Sequence, residues 1–215
     1  MTLTILICVH SITRQNDIFL IDALKSLENQ TYKDFNTLIV FDECWEHTMN
    51  RVKSEKFSLK LEFLERQKKE GLAYAKNFGL EHIKTEWVGF LDADDLYMPE
   101  KIEKQIEFIN NNEVDFLGTL SLNRYGNSKN YFDSCFKKGQ YITHSDIENR
   151  IYKENIMTHG SLLIKKSAID NLGGYNNIKG MEDWDLWKRA FDAGYKFHQL
   201  QDRLYVWTHG TSVAR

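Results

Sequence analysis

Proline occurs once in the 215 residues, at Pro99, so no proline-rich linker divides the chain. Cysteine is nearly as scarce. Cys8, Cys44 and Cys135 are odd in number, scattered and without a CxxC pair. That argues against a disulfide framework and suits reduced thiols in a cytoplasm. Charge of either sign is balanced to a net −3, without the basic excess of a nucleic-acid binder, so no nucleic-acid partner is expected. Long apolar runs are missing too. Thr2 to Val9 is too short to span a bilayer and no basic segment precedes it, so it reads as neither a signal peptide nor a spanning helix.

What is present is an ordinary globular balance of 42% hydrophobic and 27% charged residues. The length fits one domain, or one domain with a small appended subregion. A chain of this size buries roughly 70% of its unfolded surface, so its core needs no covalent staple.

The first half alternates β-rich runs with helical patterns. Leu3 to Val9 is continuous, apolar and β-branched, as a strand buried on both faces should be. From Asp17 to Leu27, apolar Leu20, Leu24 and Leu27 recur at helical spacing. Thr37 to Phe41 reads as a second buried strand, and Leu59 to Leu64 as a third that alternates more, nearer an edge. Gly71 to Lys84 places Leu72, Ala75, Gly79 and Ile83 on one helical face. Trp87 to Leu91 is a fourth strand running into Asp92-Ala93-Asp94-Asp95. Pro99 stands where a first helical position is expected, followed by the stripe Ile102, Ile106 and Ile109. This rhythm predicts an α/β domain with an open, mainly parallel sheet flanked by helices.

The second half is less regular. Phe116 to Leu122 reads as a strand, and Asn123 to Lys138 as a polar, aromatic-studded hairpin or loop. Ser161 to Ile164 leads into a helix from Lys165 to Leu172, ended by Gly173-Gly174. Trp184, Trp187, Phe191 and Gly194 line a further helix, and Leu204 to Trp207 is a last short strand.

Ligands of open parallel sheets bind beyond the carboxyl ends of the strands. Three strands end there in polar groups: His10-Ser11, Asp42-Glu43 and Asp92 to Asp95. Three carboxylates within four residues repel one another, and a hard divalent cation, Mg²⁺ or Mn²⁺, relieves that crowding. The competing reading is a solvated acidic turn with Asp95 capping the next helix. Glu182-Asp183 opens the Trp-rich helix, where a carboxylate either caps the helix or, as Asp183, serves as a general base. Asp185 points to another side and reads as structural. Lys76-Asn77 either offers a cation for a phosphate or lies on a solvated helix face, His159 and Gly160 either line an acceptor cleft or end a loop, and His209 is a lone histidine near the end of the sequence.

Assembled, these residues resemble an inverting glycosyltransferase of the GT-A fold, family two. The segment Thr4 to His10 stands at the family's first strand, and Leu27-Glu28-Asn29-Gln30-Thr31-Tyr32 resembles its Ser-Leu-x-x-Gln-Thr-Tyr segment. Gly71 to Asn77 matches its Gly-x-x-x-Ala-Arg-Asn helix, and Phe90 to Asp95 its acidic motif. Gly173-Gly174-Tyr175 and Glu182 to Trp187 follow in order. The resemblance implies a nucleotide-sugar-binding half over residues 1–112 and an acceptor-binding half over residues 113–215. It implies Asp94 as principal metal ligand, Asp92 near the donor ribose or metal, and Asp95 and Glu182 in support. Asp183 becomes the catalytic base. Asp42 faces the nucleobase, Lys76 the donor diphosphate, and His10 the donor at the first turn. His209 stands where some members bring a histidine to the metal or diphosphate. Two departures stand out: Asp42-Glu43-Cys44-Trp45 replaces Asp-Asp-Gly-Ser, and His10-Ser11 replaces Tyr-Asn.

The implied donor is a nucleotide sugar, a UDP-sugar in many members, and the cofactor Mn²⁺ or Mg²⁺. The acceptor is a glycan or a lipid-linked hydroxyl, met in the cytoplasm or at the inner face of the membrane. Peripheral membrane association, through aromatics such as Tyr131, Phe132 and Phe136, and a homodimer stay open. So do two rival activities, a nucleotidyltransferase and a non-catalytic sugar-nucleotide-binding module. A nucleotidyltransferase commonly carries a glycine-rich basic loop after its first strand, and Val9-His10-Ser11-Ile12-Thr13-Arg14 has no glycine.

Overall fold

Residues 1–9, 16–44, 46–66, 70–133 and 144–210 are described by the computed structural model. In chain order they form β1 (Leu3–Val9), α1 (Asn16–Glu28), β2 (Asn36–Asp42), α2 (Glu46–Ser54), β3 (Lys60–Arg66), α3 (Leu72–His82), β4 (Trp87–Phe90), β5 (Leu96–Tyr97) and α4 (Lys101–Asn111). There follow β6 (Phe116–Tyr125), β7 (Phe132–Asp133), α5 (His144–Glu148), a 3-10 turn at His159–Ser161, β8 (Leu163–Lys165), α6 (Lys166–Asn171), α7 (Glu182–Asp192) and β9 (Phe197–His209).

The strands make one sheet in the order β3-β2-β1-β4-β8-β6-β9-β5, with β7 paired to β6. Its first half, β3-β2-β1-β4, is parallel. Beyond β4 it becomes mixed: β8 runs antiparallel to β4 and β6, while β9 runs parallel to β6. The α/β sheet flanked by helices is therefore as expected, and the most exposed of the parallel strands, β3, is the edge one.

The continuous apolar run of β1 works because its side chains alternate between two cores. Ile5, Ile7 and Val9 pack with Leu20, Leu24 and Leu27 of α1, whereas Leu6 packs on the opposite face with Ala75 and Leu80 of α3. β2 splits the same way, Ile39 and Phe41 to one core, Leu38 and Val40 to the other. A strand covered on both faces needs apolar residues at every position. α3 lies close to the sheet because Gly79 carries no Cβ: one placed there would sit 2.6 Å from Leu6 Cδ1 and 3.1 Å from Val40 Cγ2.

Three details differ from the sequence reading. Leu72 is 37% exposed, and the buried stripe of α3 runs through Ala73, Ala75, Lys76, Gly79 and Leu80. Pro99 does not open α4, which begins at Lys101 with Glu100 at its N-cap. Instead the Pro99 carbonyl accepts a hydrogen bond from the Thr31 N–H at 2.8 Å. β9 spans 13 residues, not four, because its first half alternates polar side chains and its pairing with β6 is interrupted by bulges around Leu120.

The Gly173-Gly174 stop of α6 behaves as expected. Gly173 N–H donates to the Asp170 carbonyl and Gly174 N–H to that of Ile169, both at 3.0 Å. Gly174 has φ +77°, and a Cβ on it would lie 2.6 Å from Asn77 Oδ1. Gly174→Ala is thus expected to cost about 1–3 kcal/mol, from strain and overpacking together. Chemical denaturation checks it, and an unchanged midpoint would show that the turn relaxes freely.

Candidate functional site

The parallel strands end side by side. Asp42, the last residue of β2, pairs in register with Arg66, the last of β3, and Cys8 lies one residue before the end of β1. Arg66 Nη1 donates to Asp42 Oδ1 at 3.2 Å, and Nη2 donates to Glu70 Oε2 at 2.6 Å. Both members of the Asp42–Arg66 pair are nearly buried.

The acidic turn follows β4 directly. Asp94 and Asp95 are buried and Asp92 is half-buried, so the carboxylates are not splayed into solvent. Asp95 does not cap α4. Its two oxygens accept from β9 instead: the Tyr205 O–H at 2.5 Å and the Thr208 N–H at 2.6 Å. The reason is topological, since β5 follows the turn at once and pairs with β9. Burial first, then the charges of Asp92 and Asp94, push the Asp95 carboxyl well above its ordinary range, against the pull of those two hydrogen bonds. Arg124, also buried, donates from Nη2 to the Asp94 carbonyl at 3.1 Å and from Nε to Thr208 Oγ1 at 2.7 Å.

At the start of α7 the two acids have different surroundings. Glu182 accepts from Lys76 Nζ at 2.9 Å, an ion pair in which the lysine is 4% and the glutamate 11% exposed. Removing one partner of such a pair leaves an uncompensated buried charge, a loss of about 3–5 kcal/mol in general. The Lys76 ammonium also lies 5.1 Å from the centre of the Tyr175 ring. Asp183 is more open. Its Oδ2 accepts from Asn155 Nδ2 at 2.9 Å and its Oδ1 from the Trp184 N–H at 2.7 Å. Asp185 is structural, held by Arg189 Nε and Asn176 Nδ2.

Two buried groups register how these residues converge. The Cys8 thiol keeps a sliver of open surface, yet the packing around it pushes it up to about 12. After burial the charges it feels are Lys76, which lowers it, Asp92 and Asp42, which raise it, and Arg66, which lowers it. The Tyr175 hydroxyl is pushed well above its ordinary range by burial, and then by Asp183, Cys8, Glu182 and Asp92. Asp42, Lys76, Asp92, Glu182 and Asp183, separated by up to 141 positions in the sequence (183 − 42), therefore act within one neighbourhood at the carboxyl rim of the sheet.

Other candidates fall elsewhere. His10 lies outside the described residues, as do Cys135 and Phe136. His159 is a core histidine and does not line a cleft: Nε2 is 2.9 Å from the Tyr175 hydroxyl, and its ring packs on Phe90 and Trp187. Burial holds it well below its ordinary pKa. His209 Nε2 lies 2.9 Å from Asn123 Oδ1, and its ring packs against Tyr125 and Trp207. Among the described residues no group of three or more His, Cys, Asp or Glu side chains is arranged to hold a metal ion, so Asp92, Asp94 and His209 do not form a ready-made cage. Tyr131 and Phe132 are exposed, and no helix among the described residues is long and apolar enough to cross a membrane.

A family model described as Glycosyl transferase family 2 matches residues 4–173. The chain belongs to that family. It is 27% identical over 201 residues to the O-antigen biosynthesis glycosyltransferase WbnJ of Escherichia coli, covering 88% of this chain and 72% of WbnJ. Its fold is that of S. aureus TarS 1-349, solved in complex with UDP-GlcNAc, at a TM-score of 0.79 and 18% identity, covering 99% of this chain and 60% of TarS. It also resembles the mannosyltransferase PcManGT of Pyrobaculum calidifontis, solved with GDP-Man and Mn²⁺, at a TM-score of 0.71 and 16% identity, covering 95% and 56% of the two chains. The family-2 chain spans between 64% and 72% of the length of the first five curated relatives it matches.

Several residues of this candidate site in the family-2 chain had no signal in sequence reasoning. Arg66 ends an edge strand with no motif around it, and Asn155 lies in an irregular segment. Arg124 and Tyr205 look like ordinary strand residues. Only a reading that paired β9 with β5 across the acidic turn could have singled them out.

Proposed function

We propose that this chain moves a sugar from a nucleotide-diphosphate donor, a UDP-sugar, to a hydroxyl of a glycan or lipid-linked acceptor, inverting the anomeric centre. The observation that carries this is that Asp42 ends β2, the acidic turn follows β4, and Lys76 in the first turns of α3 holds Glu182 beside Asp183, all at the carboxyl rim where ligands of open parallel sheets bind. That TarS binds UDP-GlcNAc on the same fold, and that WbnJ carries the name of an O-antigen enzyme, supports the donor and acceptor classes.

Asp94 and Asp92 are the residues that would hold a divalent ion. Their oxygens are the hard donors that Mn²⁺ and Mg²⁺ select. The charge crowding borne by Asp95 is what a cation relieves. A preformed cage is not required, because such ions are commonly held by one or two carboxylates plus the phosphates of the substrate. When bound, the ion supplies stabilisation of the negative charge that builds on the departing diphosphate. His209 would join only after giving up its contact with Asn123.

The chain's own groups do the remaining work. Asp42, braced by Arg66, presents the rim beside the nucleobase. Lys76 ties down Glu182 and thereby fixes the first turn of α7, and from the same seat its charge acts at the diphosphate. Asp183, with one donor on each oxygen, keeps lone pairs for the proton of the acceptor hydroxyl. That hydroxyl attacks the anomeric carbon from the face opposite the nucleotide, so a single base suffices.

A thermal-shift screen of nucleotides and nucleotide sugars, with and without Mn²⁺, tests the reading. A ligand at 100 times its Kd stabilises by about 2.7 kcal/mol. For a domain of this size that is a rise of about 5–11 °C. UDP or a UDP-sugar with Mn²⁺ is expected to give it. No shift with any nucleoside diphosphate, in either condition, would remove the proposal.

A further inference from the structure

We infer that Tyr205 is a positioning residue for the acidic turn: its hydroxyl, coming from the last strand, sets where the carboxylates of Asp92 and Asp95 stand before a donor arrives. The inference rests on the reading of Asp92 and Asp94 given above, and concerns a residue no family motif in this sequence contains.

Tyr205 is fully buried in β9, and its hydroxyl lies 2.5 Å from Asp95 Oδ2 and 3.4 Å from Asp92 Oδ2. A phenol has one proton, so the short contact to Asp95 is the donated bond, and Asp92 Oδ2 stands at the far edge of hydrogen-bond range from the same hydroxyl. The ring's path is cleared by a glycine: a Cβ on Gly160 would lie 2.0 Å from the Tyr205 hydroxyl and 2.4 Å from Cζ. No side chain at position 160 leaves the hydroxyl where it is. The strand adds two further grips, the Thr208 N–H on Asp95 Oδ1 and the bond from Arg124, itself tied to Thr208, to the Asp94 carbonyl. A turn held only by its own backbone would let three like charges spread apart. Held from β9, it stays compact, with its geometry paid for in advance by burial of the tyrosine.

Tyr205→Phe removes the hydroxyl and keeps the ring. UDP binding is measured by calorimetry on the wild-type chain and the variant, each with and without Mn²⁺, after thermal unfolding shows that the variant is folded. The gain in UDP affinity that Mn²⁺ brings is expected to fall about 10- to 100-fold, the usual effect of losing a group that orients metal ligands. Metal-free UDP affinity stays the same. A purely structural tyrosine would lower the melting temperature and leave the Mn²⁺-dependent gain intact. Gly160→Ala, which drives the hydroxyl away from the opposite side with the phenol still present, is expected to lose the same gain. Full retention of the gain in a folded variant of either kind overturns the role of Tyr205 alone. A wild-type chain that binds no UDP in either condition overturns the donor reading, and this role with it.

Discussion

Asp94→Asn is expected to abolish Mn²⁺-dependent binding of UDP while leaving the chain folded. The substitution is isosteric, and the Asp94 backbone carbonyl that Arg124 grips is untouched. What goes is a charged oxygen at a position only 2% exposed. A metal-bound charge of this kind is worth several kcal/mol, and each 1.36 kcal/mol is about tenfold, so the loss should exceed about 100-fold. A second consequence has the opposite sign. Asp94 is one of the charges that raise the Asp95 carboxyl. A carboxyl raised in the folded state binds more protons folded than unfolded, and so costs stability as pH rises above its unfolded value. Removing the Asp94 charge relieves part of that cost, so the variant should lose less stability than the wild type as pH rises through the range where Asp95 ionises. Calorimetry and thermal unfolding together decide it. Unchanged affinity in the presence of Mn²⁺ would take Asp94 out of the metal site.

Asp183→Asn should slow transfer by about 10²–10⁴-fold and leave UDP affinity as it was, the separation expected when a general base is lost and nothing else. The structure sharpens the choice between neighbouring acids. Glu182 is committed to the buried Lys76 ammonium, whereas Asp183 is half-buried and, among the described residues, held by neutral donors from Asn155 and the Trp184 backbone. An asparagine at 183 keeps an oxygen for those donors but cannot take a proton. Steady-state release of UDP from a UDP-sugar, in parallel with binding of UDP, measures both halves. Full turnover in the variant would place the base on another residue, and a loss of UDP affinity would make Asp183 part of the donor site.

Much of the parallel half was legible because its physics is local. A strand covered on both faces must be apolar throughout, and β1 and β2 are. A helix must repeat its apolar face every three to four residues, and α1 and α4 do. The acidic turn could be placed at the rim because it follows β4 without a break. α2, by contrast, went unread: only Thr48 and Val52 among its nine residues are buried, too thin a stripe to detect.

By itself, then, the sequence determined the succession of β1 to β4 with α1, α3 and α4, the family, and the acids that follow those strands at the rim of the sheet. Tertiary structure alone decided what each acid is paired with. Lys76 meets Glu182 across 106 positions and Tyr205 meets Asp95 across 110, and no local periodicity records a contact of that span. Such pairs are set by which strands lie side by side. β9 reaches the acidic turn only because the sheet continues past β4 through β8 and β6. The same route makes Asp95, for which a helix cap was the competing reading, an acceptor for β9.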